Sequence, residues 1–286
     1  MAERRDKTLF QQPWFTGTVF AGVEAALQDR EQAERNHERF LLNALFLHLL
    51  DVEREDPDAS HVAAASFFAF CQRNIHDSHA QILQDLWVLY MTGEKRDGYF
   101  VEFGACDGKS LSNTLLLEQA YGWNGILAEP NPFWHDALAA NRKCAISQNC
   151  VAPVGGEEVE FIHVTDMPEL SRMAAYVPDD VHERDGARND QPSVRVPTVS
   201  LKELLDSHDA PREIDYLSVD TEGSEHAILE AFDFSRYRFR LVTVEHGGDT
   251  TKREAIRALL AAQGYNNWMP ELTRWEDWFT GPGFGK

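Results

Sequence analysis

The sequence predicts an α/β fold, a doubly wound open sheet preceded by a helical module, and three observations carry that prediction. The stretch Tyr99-Phe100-Val101-Glu102-Phe103-Gly104-Ala105-Cys106-Asp107-Gly108 reads as a short apolar strand that turns through glycines into a helix. A second strand, Gly125-Ile126-Leu127-Ala128-Glu129, ends in a carboxylate about 20 residues further on. A later one, Ile214 to Val219, delivers Asp220-Thr221-Glu222-Gly223. Strand ends bearing polar side chains are where open α/β sheets bind ligands, so the domain is expected to be Rossmann-like.

From about Val19 to Leu50 the chain is helical in character, ending in Phe40-Leu41-Leu42 and Leu45-Phe46-Leu47. Asp51 to Ser60, acidic and holding Pro57, reads as a loop. Val62 to Cys71 is apolar almost all round, and Ile82, Leu83, Leu86, Leu89 and Tyr90 then form one stripe that Gly93 breaks. Residues 1–93 are therefore expected to form the helical module, too apolar for a solvated tail. It would pack on the sheet, cap a substrate pocket or build a homodimer interface. Residues 94–286 would form the ligand-binding domain.

In that domain the first helix is expected from Ser110 to Ala120, carried by Leu111, Leu115 and Leu116 and stopped at Gly122. Pro130 and Pro132 open a helix through Phe133, Trp134, Ala137 and Leu138, and Cys144 to Ala152 supplies a third strand. Val159 to Val164 and Ser193 to Ser200 read as a strand pair around a polar excursion, 165–192, which holds Met167, Met173, Tyr176, Arg184 and Arg188. A loop of that length is read as a substrate-facing lid or as an insertion. Ser200 and Glu203 form a capping box before the strand Ile214 to Val219. The helix Glu225 to Phe232, the strand Phe239 to Val244 and a helix with a Thr251 and Glu254 capping box, ending near Gln263, complete the alternation. Trp268, Trp275 and Trp278 then belong to the last strands and core, or line the acceptor site.

The turn narrows the ligand. A dinucleotide site wants G-x-G-x-x-G, so that bare backbone can approach a pyrophosphate at a helix N-terminus. Here the spacing is Gly104-x-x-x-Gly108, with Cys106 at the middle glycine position and Asp107 where phosphate would sit. This disfavours NAD and suits a cationic, ribose-bearing ligand such as S-adenosylmethionine, with carboxylates at Glu102, Asp107 and Glu129. Glu102, inside an apolar strand, would be costly without a partner.

At these residues the sequence resembles the FkbM-type S-adenosylmethionine-dependent methyltransferases. The matching blocks are Phe100 to Gly108, Ser112-Asn113-Thr114, Glu118, Gly122-Trp123, Glu129-Pro130-Asn131-Pro132 and Asp215 to Glu225, within Tyr99 to Tyr265. The resemblance implies a class I methyltransferase fold with Glu102, Gly104, Ala105, Asp107, Asn113, Glu129, Pro130 and Asp220 at the cofactor. It also implies hydroxyl acceptors on sugars or on secondary metabolites of polyketide or peptide type.

Methyl transfer needs acceptor and donor in near-attack geometry and usually a base. Asp220 and Glu222 converge with Glu245 and His246 if their strands are neighbours. His246 is the expected base, since an ordinary imidazole can take a hydroxyl proton near neutral pH. Asp220 and Glu222 would orient the acceptor and the charged end of the cofactor. Asp220, Glu245 and His246 could instead hold a divalent metal such as Mg or Mn, but a sulfonium cofactor already accounts for some of these carboxylates. His226, one turn into the next helix, is the weaker second candidate for the base.

The formal net charge of -20 argues against nucleic acid and anionic membranes as partners, because no excess of cations is available for phosphates. The charged start of the chain lacks the apolar core of a signal peptide and no apolar run is long enough to span a bilayer, so a cytoplasmic protein is expected. Cys71, Cys106, Cys144 and Cys150 lack paired spacing and are expected to be reduced thiols. Two alternatives are disfavoured. Asp107 and the missing middle glycine oppose an NAD-dependent oxidoreductase or epimerase. Intact Glu102, Gly104, Glu129, Asp220 and Glu222 oppose a degenerate protein that binds partners through its apolar helices.

Overall fold

A computed structural model describes residues 59–189, 191–270, 273 and 275–284. The helical expectation for 19–50 and most of the loop after it lie outside the described residues. The chain divides into two compact units, Met1–His76 and Asp77–Lys286. In the first, helix α1 (Ala59–Asn74) buries Phe67, Phe70 and Cys71. Helix α2 (Gln84–Thr92), expected in a module ending at residue 93, belongs to the second unit. Its Trp87 meets Trp278 at a ring-centroid distance of 5.0 Å, and Gln84 Nε2 donates to Glu276 at 3.0 Å, both on a strand of the main sheet.

In chain order the main elements are β1 (Tyr99–Phe103), α3 (Leu115–Tyr121), β2 (Asn124–Ala128), α4 (His135–Asn141) and β3 (Ala145–Ser147). A second group, β4 (Cys150–Ala152), β5 (Glu158–Ile162), β6 (Arg172–Met173), α5 (Val181–Arg184) and β7 (Ser193–Ser200), follows. The chain then returns through α6 (Leu201–Ser207), β8 (Glu213–Val219), α7 (Glu225–Glu230), β9 (Arg238–Glu245), α8 (Thr250–Ala262), β10 (Asn266–Asn267) and β11 (Glu276–Thr280).

The main sheet has the order β10-β11-β9-β8-β1-β2-β3. Its central strands are parallel, and β11 runs antiparallel to both neighbours. Strands covered on both faces read as continuous apolar runs, as β1 and β8 do: Phe100 to Phe103 and Ile214 to Val219 are buried throughout. After β1 the chain moves outward through β2 and β3, then returns to the other flank of β1 as β8. That reversal opens a crevice beyond the C-terminal ends of β1 and β8, the site predicted for ligands.

The expected third strand, 144–152, is two strands. Ala145–Ser147 closes the main sheet, while Cys150–Ala152 joins a second sheet of order β4-β7-β5-β6 with its own small core of Cys150, Phe161, Met173 and Val196. The predicted pairing around the excursion forms in register, from Glu158 opposite Pro197 to Ile162 opposite Ser193. The Ser200 and Glu203 capping box is present. That of Thr251 and Glu254 is not, because Asp249 caps α8 by accepting from the Thr251 and Lys252 N–H groups at 2.8 and 3.0 Å. The first helix of the domain begins at Leu115 rather than Ser110, since the residues before it are bound to Glu102. Among the described residues no helix is long and apolar enough to cross a membrane, and Cys106, Cys144 and Cys150 are free thiols.

Candidate active site

Glu102 is almost fully buried in β1, as its sequence context required, and its partner is the chain itself. It accepts from the Asn113 N–H at 2.9 Å and from the Thr114 hydroxyl, with the buried Arg142 guanidinium 3.8 Å away. Arg142 also donates to Glu118 at 2.6 Å. The carboxylate expected to meet the cofactor's charge therefore anchors the turn that precedes α3. Asp107 has a similar role, accepting from the Lys109 and Ser110 N–H groups at 2.8 and 2.7 Å. Asn113 donates to the Ser218 hydroxyl at 2.9 Å, while its Oδ1 is buried and has no hydrogen-bond partner among the described residues.

Gly104 closes β1 with φ +71°, and a Cβ placed on it would stand 2.0 Å from the carbonyl oxygen of Asp220. Only glycine permits that approach, which seats the end of β8 directly on the turn. Glu129 follows β2 and accepts from the Cys106 and Asn131 N–H groups, each at 2.8 Å. Burial pushes its carboxyl up to about 7. The turn, Glu129 and Pro130 line one cavity of about 540 Å³ together with Asp220, Glu222 and Glu245.

These last three carboxylates have different partners. Glu245 ion-pairs with Lys252 at 3.2 Å, and Lys252 also reaches the buried Glu225 at 3.0 Å. Glu222 accepts from Arg188. Asp220 has no hydrogen bond or ion pair to its carboxylate among the described residues. Burial, followed by the nearby Glu222 and Glu225, raises the Asp220 carboxyl well above the usual range. Burial and Glu245 push Glu222 up to about 8, against the pull of Arg188.

Residues 102–266, more than half of the chain, match the methyltransferase FkbM domain. The chain belongs to the FkbM methyltransferase family. No curated protein matches the sequence. Among solved structures, the precorrin-6y C5,15-methyltransferase of Geobacter metallireducens GS-15 aligns at 15% identity with a TM-score of 0.34, covering 64% of this chain and 70% of that one. The N-terminal domain of human METTL16 aligns at 13% identity with a TM-score of 0.36, covering 99% and 98%. The family assignment rests on the domain match, and the fold on the strand order.

In this FkbM methyltransferase His246 does not serve the cavity. It lies one residue past the end of β9, where successive side chains point to opposite sides, so Glu245 lines the cavity and His246 does not. Its Nδ1 accepts from the Gly248 N–H at 3.1 Å, and its Nε2 is buried without a partner among the described residues. Burial pushes the imidazole down to about 4. The expected base is thus misplaced, and so is one ligand of the metal set considered. Asp220, Glu225 and Glu245 do gather oxygens within 4.8 Å of one another, but the cation on Glu225 and Glu245 is Lys252. His226, the second candidate, faces Glu230 at 4.0 Å on α7.

The polar excursion is folded across the cavity. Pro168, Glu169, Leu170, Met173, Asp180 and His182 line it. The buried Arg188 ties the segment down, donating to Asp180 at 2.9 Å, to the Leu170 carbonyl at 3.0 Å and to Glu222. Arg188, Arg142 and Lys252 were given no role from sequence. Lys252 did carry a signal, as a cation in the first turn of a helix opposes the helix dipole unless carboxylates hold it.

Proposed function

We propose that the chain is an S-adenosylmethionine-dependent O-methyltransferase acting on a hydroxyl of a sugar or of a polyketide- or peptide-type metabolite, with Asp220 receiving the hydroxyl proton. The observation that carries this reading is the pairing pattern of the cavity. Glu129 sits beside the Gly104 to Cys106 turn, where a ribose diol is held in such folds. Asp220, whose backbone rests on the same turn, is the unpaired carboxylate beside it.

S-Adenosylmethionine supplies a methyl group activated on a sulfonium. The donor set fits it: Glu129 would take the ribose hydroxyls, Ala105, Cys106 and Pro130 would line the adenosine, and the unsatisfied Asn113 Oδ1 would accept from an N–H group. A carboxyl whose affinity for protons is raised by burial is the better acceptor of a proton from a neutral hydroxyl. Glu222, fixed by Arg188, would orient the acceptor.

Calorimetry tests the reading with S-adenosylhomocysteine. The wild type should bind it, and Glu129→Ala should weaken binding at least about tenfold, since a lost charged hydrogen bond is worth roughly 1.5–3 kcal/mol. Unchanged affinity in the folded variant would remove the role of Glu129. Tight NAD binding with none for S-adenosylhomocysteine would remove the methyltransferase reading.

A further inference from the structure

We propose that the acceptor is a polyhydroxylated amine that carries a protonated amino group near the hydroxyl to be methylated, and that phosphorylated and carboxylated acceptors are rejected. This rests on the methyltransferase reading and adds to it the charge of the second substrate. Eight carboxylates and no lysine or arginine line the cavity among the described residues, with His182 the one imidazole.

The internal cations that reach the lining carboxylates are each shared between two of them or between one and its neighbour. Arg142 is matched to Glu102 and Glu118, Lys252 to Glu225 and Glu245, and Arg188 to Asp180 and Glu222. Glu129 and Asp107 have only N–H and hydroxyl donors, which leave their charge uncancelled. Asp220 and the exposed Glu169 have no partner among the described residues. Asp107, Glu129, Glu169 and Asp220 therefore line the cavity with no cationic partner among the described residues. S-Adenosylmethionine brings one net positive charge, since its ammonium and carboxylate cancel. An acceptor amine supplies another, while a phosphate would meet like charge with no basic side chain to receive it.

Unmet acceptors outnumber unmet donors on the lining among the described residues: the Asp220 carboxylate, Glu169 and the buried Asn113 Oδ1 accept, against the buried Trp134 indole N–H, so the ligands must bring donors, as ammonium and hydroxyl groups do. The Asp220 and Glu222 carboxyls, pushed up by burial, point the same way, because a cation bound beside them favours their ionised state.

The test uses the enzyme loaded with S-adenosylhomocysteine, which lacks the sulfonium charge. Binding of glucosamine, glucose, N-acetylglucosamine and glucose 6-phosphate is compared by calorimetry, followed by the matching galactose series. In at least one series the amine should bind about tenfold or more tighter than the parent and acetylated sugars, with no measurable binding of the phosphate. Asp220→Asn, its folding checked by circular dichroism, should lose most of the preference for the amine. Should that variant not fold, the exposed Glu169→Gln should still weaken amine binding several-fold. The inference is overturned if neither amine binds, if parent or phosphate binds as tightly, or if the preference survives the variant. A wild type that binds S-adenosylhomocysteine and ignores amines sinks this inference alone, whereas one that binds no S-adenosylhomocysteine sinks the methyltransferase reading first.

Discussion

Replacing Gly104 with alanine tests whether backbone contact between β1 and β8 sets the cofactor turn. Two costs are readable from the structure. Alanine at φ +71° has the left-handed strain, about 1–2 kcal/mol. Its Cβ would lie 2.0 Å from the Asp220 carbonyl oxygen, so the strand ends must part by more than 1 Å; overpacking of that kind costs roughly 1–3 kcal/mol. Together they predict a loss of about 2–5 kcal/mol, a fall in Tm on the order of 10 °C for a unit of this size. Gly104 N–H also donates to the Ala128 carbonyl at 3.0 Å, so the shift reaches β2 and Glu129, and S-adenosylhomocysteine affinity should drop more than about tenfold. Gly156→Ala is the control: its φ of +78° gives the same strain, but nothing lies within 4 Å of the added methyl. Differential scanning calorimetry and ligand titration of both variants separate clash from strain. Equal Tm losses in the two, with wild-type ligand affinity for Gly104→Ala, would refute the reasoning.

His246→Ala should retain turnover within about threefold and lose stability by roughly 1–3 kcal/mol, because a buried group outside the cavity is removed; a drop of about 10²–10⁴ in kcat would restore the imidazole as base. Arg188→Ala leaves Asp180 and Glu222 without their guanidinium, a change of about 3–5 kcal/mol for a buried pair, and should expose 165–192 to limited proteolysis while S-adenosylhomocysteine still binds. A segment as protease-resistant as in the wild type would show that Arg188 is not its latch. The cofactor-free protein should lose thermal stability as pH rises from about 6.5 to 8.5. Glu129 and Glu222 titrate near 7 and 8 when folded but near 4.5 when unfolded, so the folded state holds the extra protons and gives them up across that window. His246 acts oppositely only below its ordinary value of 6.5, and a Tm that stays flat or climbs above it would contradict the buried carboxyls.

The central strands were legible because burial on both faces writes an unbroken apolar run, as in Phe100-Val101 and Tyr216-Leu217. The start of α3 was not, since Ser112, Asn113 and Thr114 are good helix-start residues and nothing local reveals that Glu102 claims them. Asp220, Glu222 and Glu129 stand at strand ends, which topology fixes, and that is why their shared place on the cavity wall was legible. His246 was misjudged because it was grouped with Glu245 by proximity in sequence, whereas a period of two separates neighbours at the end of a strand. Arg142 and Arg188 find their partners 24 or more residues away in sequence, at Glu118 and Glu222, and no periodicity encodes such pairs.

The excursion between β5 and β7 begins and ends on a bonded pair, Ile162 opposite Ser193. The ladder, not the excursion, brings its two ends together, so the insert is a cassette mounted on a closed frame. Loop-closure entropy grows only slowly with length, so the parts of the cassette other than β6, which pairs with β5, and Arg188, which holds Glu222, can be shortened or extended with little effect on the frame. The strand ends that hold Glu129 and Asp220 lie outside it, while Pro168, Glu169, Leu170, Met173, Asp180 and His182 lie within. One contiguous stretch of chain thus sets much of the wall, and a foreign segment that keeps the β6 pairing and the Arg188 contacts would recast the chamber without disturbing the turn at Gly104.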